Sequence, residues 1–421
     1  MNQNSKGEGI VKGSFYMILA LGITGFSLFL FQILAARKIG KEEFGKLSIF
    51  YSLFFLLADF FSSGFRDFSS VELSKIFDKE KLKDFLKKYF SSFIFYSIVF
   101  YTLIFLLSPL FLKKFFDKNF VNFFLFSLCF LFMFSTIFLR GALLGFRKIS
   151  YVAISNLSFG ILILISGLYF YLKESKLIHF EISYFISIFL TFPLTLYLLK
   201  RLTPFYLSFN FKEIILPKNP LMMSSINSIL ESYFYIGIIL MKIKNAPYGD
   251  IGTLSAILTF FLGIKTLFTG IFIPLLPNLS YVLSLEKKEK FYKYIKLTGF
   301  LIILTLLLLL ILSLTILPPL WQIFFGKGYK FQKIDFVLIS IIISIYLMIR
   351  LLSRAFFAIK EINYIFFTII IFLILLSLVF FLLPLKPLIS IEISFLFSSF
   401  IVFFLLYLRL KNFSFKISSG E

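Results

Sequence analysis

Twelve apolar runs of roughly twenty residues, separated by short charged segments, leave this chain few ways to fold. They cover residues 13–36, 47–64, 89–112, 120–139, 151–172 and 178–199, then 221–241, 251–276, 297–317, 334–359, 362–383 and 388–408. A helix rising 1.5 Å per residue needs about 20 residues to cross about 30 Å of hydrocarbon. Each run therefore reads as one membrane span. The composition agrees: 59% of the 421 residues are hydrophobic and only 15% charged, too little polar surface for a water-soluble globule. The 65 Phe form no repeated motif and serve as apolar filler at lipid-facing positions. The first run is too long for a removable signal peptide and lacks a small-residue cleavage site. The fold class is an all-α integral membrane protein of about twelve transmembrane helices.

The formal net charge is +22. In a soluble protein such an excess points to nucleic acid; here the basic residues collect in loops that face anionic lipid. With an even number of spans both termini share one side, which carries 24 of the 43 Lys and Arg against 15 on the other. This bias puts both termini in the cytoplasm and the chain in the cytoplasmic membrane. The longest loops, 65–88 and 200–220, are only some two dozen residues each. A folded extramembrane domain needs at least about 50. One cysteine, Cys129, and one histidine, His179, exclude an intrachain disulfide and any His/Cys metal site. No Gly-rich phosphate loop or nucleophile elbow is present. The expectation is a protein without a cofactor that works inside the bilayer and is not an enzyme.

The two halves repeat. Pro109, Phe115-Phe116 and Lys118 match Pro318, Phe324-Phe325 and Lys327 at an offset of 209. Gly45, Leu47 and Ser48 match Gly252, Leu254 and Ser255 at 207, and residues 145–151 resemble 358–364 at 213. Six spans per repeat give both the same orientation, so two parallel six-helix bundles are expected, 1–205 and 206–421, with the substrate path between them. The Pro-rich stretch around 203–220 joins them.

Ionisable groups inside spans are costly and usually face a cavity or a partner. Asp59, Glu231, Lys265, Arg350 and Arg354 lie in spans two, seven, eight and ten, and Arg140 ends span four. Asp59 pairs by the 207 offset with Thr266, next to Lys265. Arg350 and Arg354 share a helix face, and Arg140 falls within one position of Arg354 after the 213 shift. Such guanidiniums could hold a phosphate or pyrophosphate through forked hydrogen bonds. The candidate substrate-binding residues are thus Arg350, Arg354, Arg140 and Lys265, with Asp59 and Glu231 as coupling groups. Arg140 snorkelling to the interface, and Glu231 with Lys265 as a structural ion pair, are the competing readings. Thr24, Gln32, Asn227, Ser228 and Ser232 line candidate cavity helices or mediate helix packing. Pro193, Pro274 and Pro277 can bend their helices.

The segment Ala36-Arg37-Lys38-Ile39-Gly40-Lys41-Glu42-Glu43-Phe44-Gly45 resembles the A-R-x-L-G-x-E-x-F-G stretch of polysaccharide (O-antigen type) flippases, with Ile39 where Leu is usual. Ala58-Asp59-Phe60 with Gly64-Phe65, and Arg140-Gly141 with Gly145-Phe146, are similar to two further segments of that family. It belongs to the multidrug/oligosaccharidyl-lipid/polysaccharide exporter superfamily. The resemblance implies alternating-access translocation of a polyprenyl-pyrophosphate-linked oligosaccharide, with membrane lipids and other polysaccharide-assembly proteins as partners. An ion-coupled small-molecule exporter of the same superfamily and a membrane glycosyltransferase or polymerase are the alternatives.

Overall fold

The computed structural model describes residues 10–75, 79–146, 148–173, 175–202, 218–284, 288–326, 328–329, 331–359 and 361–412. Among them the chain forms fourteen helices and no strand. They are α1 (Ile10–Lys75), α2 (Lys79–Leu106), α3 (Ser108–Lys114), α4 (Phe120–Gly145), α5 (Ile149–Leu172), α6 (Leu177–Lys200) and α7 (Lys218–Glu231). Then come α8 (Tyr233–Ile243), α9 (Tyr248–Ser284), α10 (Lys288–Thr315), α11 (Leu317–Phe325), α12 (Lys333–Ala358), α13 (Ile362–Leu382) and α14 (Pro387–Lys411).

Ten helices are long and apolar enough to cross a membrane, and the broken pair α7–α8 adds one. The first of the ten, Phe15–Ser63, has 49 residues, about 74 Å if straight. It is not straight. Gly40 leaves helical geometry at φ 77, ψ 171, a backbone that side-chain-bearing residues rarely adopt. Phe31, before it, and Phe54, after it, both meet the ring of Tyr184, with centroids 5.1 and 5.4 Å away. Residues 23 positions apart on a straight helix would stand about 35 Å apart. The chain therefore doubles back at Gly40, and α1 holds two crossings, which brings the total to the twelve apolar runs.

The repeat reaches the helix boundaries. α2 and α10 both have 28 residues and begin 209 positions apart. α4 and α12 both have 26 and begin 213 apart, and α5 and α13 also begin 213 apart. The short helices α3 and α11 follow α2 and α10 at the same offset of 209, each with proline in its first turn, where a missing N–H costs nothing. By internal packing the chain divides into two units, Met1–Ile271 with Pro318–Phe331, and Phe272–Leu317 with Gln332–Glu421. The expected boundary near residue 205 lies outside the described residues.

Within the first unit α9 runs against α1. A Cβ on Gly45 would stand 2.1 Å from the carbonyl of Tyr248, and one on Gly252 would stand 2.1 Å from the carbonyl of Lys41. Lys41 and Tyr248 are themselves 207 residues apart, as are the two glycines. Each glycine thus meets the repeat counterpart of its partner's neighbour, which is what a local two-fold axis produces. The contact sits beside the Gly40 turn and needs the bare backbone of both residues.

Candidate functional site

The seventh span carries the sharpest feature of the first unit. α7 and α8 meet at Ser232 with a bend of 76° between Ser225–Glu231 and Tyr233–Ile243. Breaking a helix frees carbonyls at the end of its first segment, and in a bilayer these need a partner. Lys265, reaching from α9, supplies one: its Nζ donates to the Glu231 carbonyl and stands 3.4 Å from Glu231 Oε2. A cation at a helix C-terminus also matches the negative end of the helix dipole. Tyr235 places its ring 6.0 Å from the same ammonium and stacks on Phe55. The Glu231–Lys265 pair is therefore an ion pair between neighbouring helices, and the lysine also caps the break. No proline stands there. Pro193 lies inside an unbroken α6, and α9 stays helical through Pro274 and Pro277.

Three further predicted residues gather in this unit. Asp59, on the second limb of α1, lies within electrostatic reach of Glu231, Lys265, Arg140 and Arg66. Ser228 ties the two spans, donating to the Asp59 carbonyl at 2.8 Å and pairing with Ser63 at 2.6 Å. Arg140 does not turn out to the interface. Its Nε donates to Ser155 Oγ at 2.9 Å and its Nη2 to the Ser155 carbonyl at 3.1 Å, two of the five donors of the group. Ser155 in turn meets Thr195 on α6 at 2.6 Å. The result is a half-buried cluster of three bases and two acids on α1, α4, α7 and α9. Sequence reasoning reached four of the five; Arg66, read as a loop residue, lies on α1 because that helix continues to Lys75.

Other polar side chains act as helix-to-helix ties. Thr259 donates to Gln32 Oε1, Tyr51 pairs with Ser255, and Thr24 donates to the Ala20 and Asn156 carbonyls at 2.7 and 3.0 Å. These join α9 to α1 and α1 to α5, the packing role of hydroxyls in a bilayer.

Arg350 and Arg354 belong to the second unit, on α12. Arg350 is 2% exposed; the Arg354 guanidinium lies 5.9 Å from the Phe357 ring. The same unit buries two carboxylates that the search for intramembrane charge passed over, Asp335 on α12 and Glu392 on α14. Glu392 is wholly buried, and neither of its oxygens has a hydrogen-bond partner among the described residues. Glu181 on α6 is a third, 1% exposed. All three stand in the first two turns of apolar runs, where counting charges against the run's edges would have found them. Among the described residues no three His, Cys, Asp or Glu gather as a metal site.

No protein-family model matches the chain, and no curated protein does. Solved structures match almost end to end. A structure of the lipid II flippase MurJ in an inward closed conformation has a TM-score of 0.70 at 16% identity, covering 95% of this chain and 88% of its own. An inward-facing multidrug resistance MATE family transporter of the MOP superfamily reaches 0.69 at 13% identity, with 94% and 98% covered. An outward-facing one reaches 0.63 at 13%, with 95% and 96% covered. This chain has the fold shared by MATE multidrug transporters and the MurJ lipid II flippase.

Proposed function

We propose that this protein is a flippase that moves a polyprenyl-pyrophosphate-linked oligosaccharide from the cytoplasmic to the outer leaflet by alternating access. The observation that carries the reading is the half-buried cluster Asp59, Arg66, Arg140, Glu231 and Lys265, in which bases outnumber acids. A sugar–pyrophosphate head cannot cross about 30 Å of hydrocarbon unaided. Fixed guanidiniums and an ammonium replace its water, while the lipid tail stays in the bilayer. Arg140, Lys265, Arg350 and Arg354 bind the pyrophosphate. Asp59 and Glu231 set the resting charge: the anion competes with Glu231 for Lys265, so binding and the state of the broken span are coupled. The termini lie in the cytoplasm, on the side with more Lys and Arg.

Reconstitution into liposomes with a labelled polyprenyl-pyrophosphate oligosaccharide tests this. Arg350→Ala with Arg354→Ala leaves folded protein and lowers translocation at least about tenfold, the loss expected from removing charge-assisted bonds. Full activity in that double variant refutes the assignment. The MATE neighbours favour one other reading, an ion-coupled exporter of small molecules. It requires Na⁺- or H⁺-driven uptake of a soluble drug that Asp59→Asn or Glu231→Gln abolishes.

A further inference from the structure

At the end of the first unit opposite Ile10, the Gly40 turn, the α3–α4 joint and the α5–α6 joint enclose a cleft of about 640 Å³. That volume is in the range of sites for small organic ligands. The cleft lies away from the charged cluster, and its residues play no part in the function argued above. Glu181 forms part of its wall. This carboxylate is 1% exposed, and its Oε2 has no hydrogen-bond partner among the described residues. A buried acceptor of this kind is costly unless something donates to it.

The rest of the wall says what that donor is attached to. Three lysines (Lys38, Lys46, Lys176) and three carboxylates (Glu43, Asp117, Glu181) line the cleft, so neither sign of charge has the wall to itself. Two of the acids are already engaged: Glu43 by Lys46 at 2.8 Å, and Asp117 by Tyr248 at 2.5 Å and Lys242 at 3.4 Å. The backbone donors that could seize a phosphate are occupied too. Asn119 caps α4 by accepting from Val121 N and Asn122 N, and His179 Nδ1 accepts from Lys176 N. What remains is a buried acceptor, the amide of Asn122 and the apolar faces of Phe115 and Phe116, the Ser175 hydroxyl being held by the Phe170 carbonyl. Hydroxyls in several directions and C–H faces between them complement such a wall; a compact ion does not.

We propose that this cleft binds a neutral saccharide, with Glu181 accepting from its hydroxyls. For the source of that saccharide the proposal rests on the flippase reading, in which the cleft holds the glycan of the lipid-linked substrate at the outer leaflet. A free saccharide has the same chemistry, so the test separates the two.

The test uses the full chain in lipid nanodiscs with maltotriose, mannotriose and tri-N-acetylglucosamine as probes, read by saturation-transfer NMR. At least one binds at millimolar concentration. Glu181→Leu weakens it about tenfold or more, and Asn122→Ala, at the rim, weakens it about threefold. Should Glu181→Leu fail to fold, Asn122→Cys supplies a second readout, since the native Cys129 is buried: bound saccharide slows its maleimide labelling. Protection by a polyprenyl-pyrophosphate trisaccharide at concentrations where the free trisaccharide gives none assigns the site to the lipid-linked glycan. Equal protection by both assigns it to saccharides in general. The proposal falls if no trisaccharide binds, if both variants bind as the native protein does, or if Na⁺ or pyrophosphate protects Asn122→Cys and saccharides do not. Liposome translocation is scored separately. Flipping without saccharide binding removes the cleft and keeps the flippase; binding without flipping does the reverse.

Discussion

The first span of each repeat starts from the same plan and ends differently. The opening limb of α1 runs helical from Ile10 to its turn at Gly40, whereas its counterpart is cut at Ser232 and bent by 76°. The positions correspond at 207 residues: Thr24 with Glu231, Gly25 with Ser232. In the first repeat Thr24 donates back to the Ala20 carbonyl, four residues earlier, and to the Asn156 carbonyl on α5, so hydroxyl bonds alone serve this position. In the second, the Glu231 carbonyl is taken by Lys265 from another helix, and the matching place in the first repeat is Ala58, which has nothing to give. Duplication preserved the topology; one lysine and one glutamate made the copies unequal. The charge chemistry of the first unit sits where the copies differ.

The strongest way to break this comparison is Lys265→Met. It leaves the Glu231 carboxylate and a freed carbonyl without their cation, and removing one partner of a buried pair costs about 3 kcal/mol or more. The unfolding midpoint in detergent should fall accordingly, and Glu231→Gln in the same background should recover part of the loss. An unchanged midpoint for Lys265→Met would show that the break is held by other groups. Next comes the place where the copies agree. Gly45→Ala and Gly252→Ala each drive a Cβ to 2.1 Å from a backbone carbonyl, an overpacking cost of about 2 kcal/mol. The two losses should be equal within error; a large difference would mean that the local symmetry is only approximate. The smallest effect is at Gly25. Its added Cβ would find only the Thr266 side chain, at 3.6 Å. Gly25→Ala should therefore raise stability by about 0.5 kcal/mol through helix propensity.

Much of this architecture could be read before any coordinates. Span length is set by bilayer thickness, so residues 151–172 or 362–383 could hardly be anything else, whereas the run at 89–112 is divided between α2, which starts at Lys79, and the short α3. The repeat was legible for a related reason: Pro109 and Pro318 mark the first turns of α3 and α11, and prolines there do a fixed structural job. The break at Ser232 was not legible. No proline or glycine stands there, and the bend depends on a lysine 33 residues away that only tertiary packing brings near. Glu181 and Glu392 escaped notice because a carboxylate in the first turns of a helix is electrostatically ordinary; only burial distinguishes them. Asp59, Arg140, Glu231 and Lys265 were found because charge inside hydrocarbon is rare enough to stand out singly.

The meeting of Gly45 with Gly252 reaches beyond this chain. It is a surface touching its own copy, the geometry by which two identical polypeptides associate side by side. A six-span ancestor would have formed its homodimer along this seam, and fusing the two genes would have required no new interface, only a connecting segment between two subunits that already recognised each other.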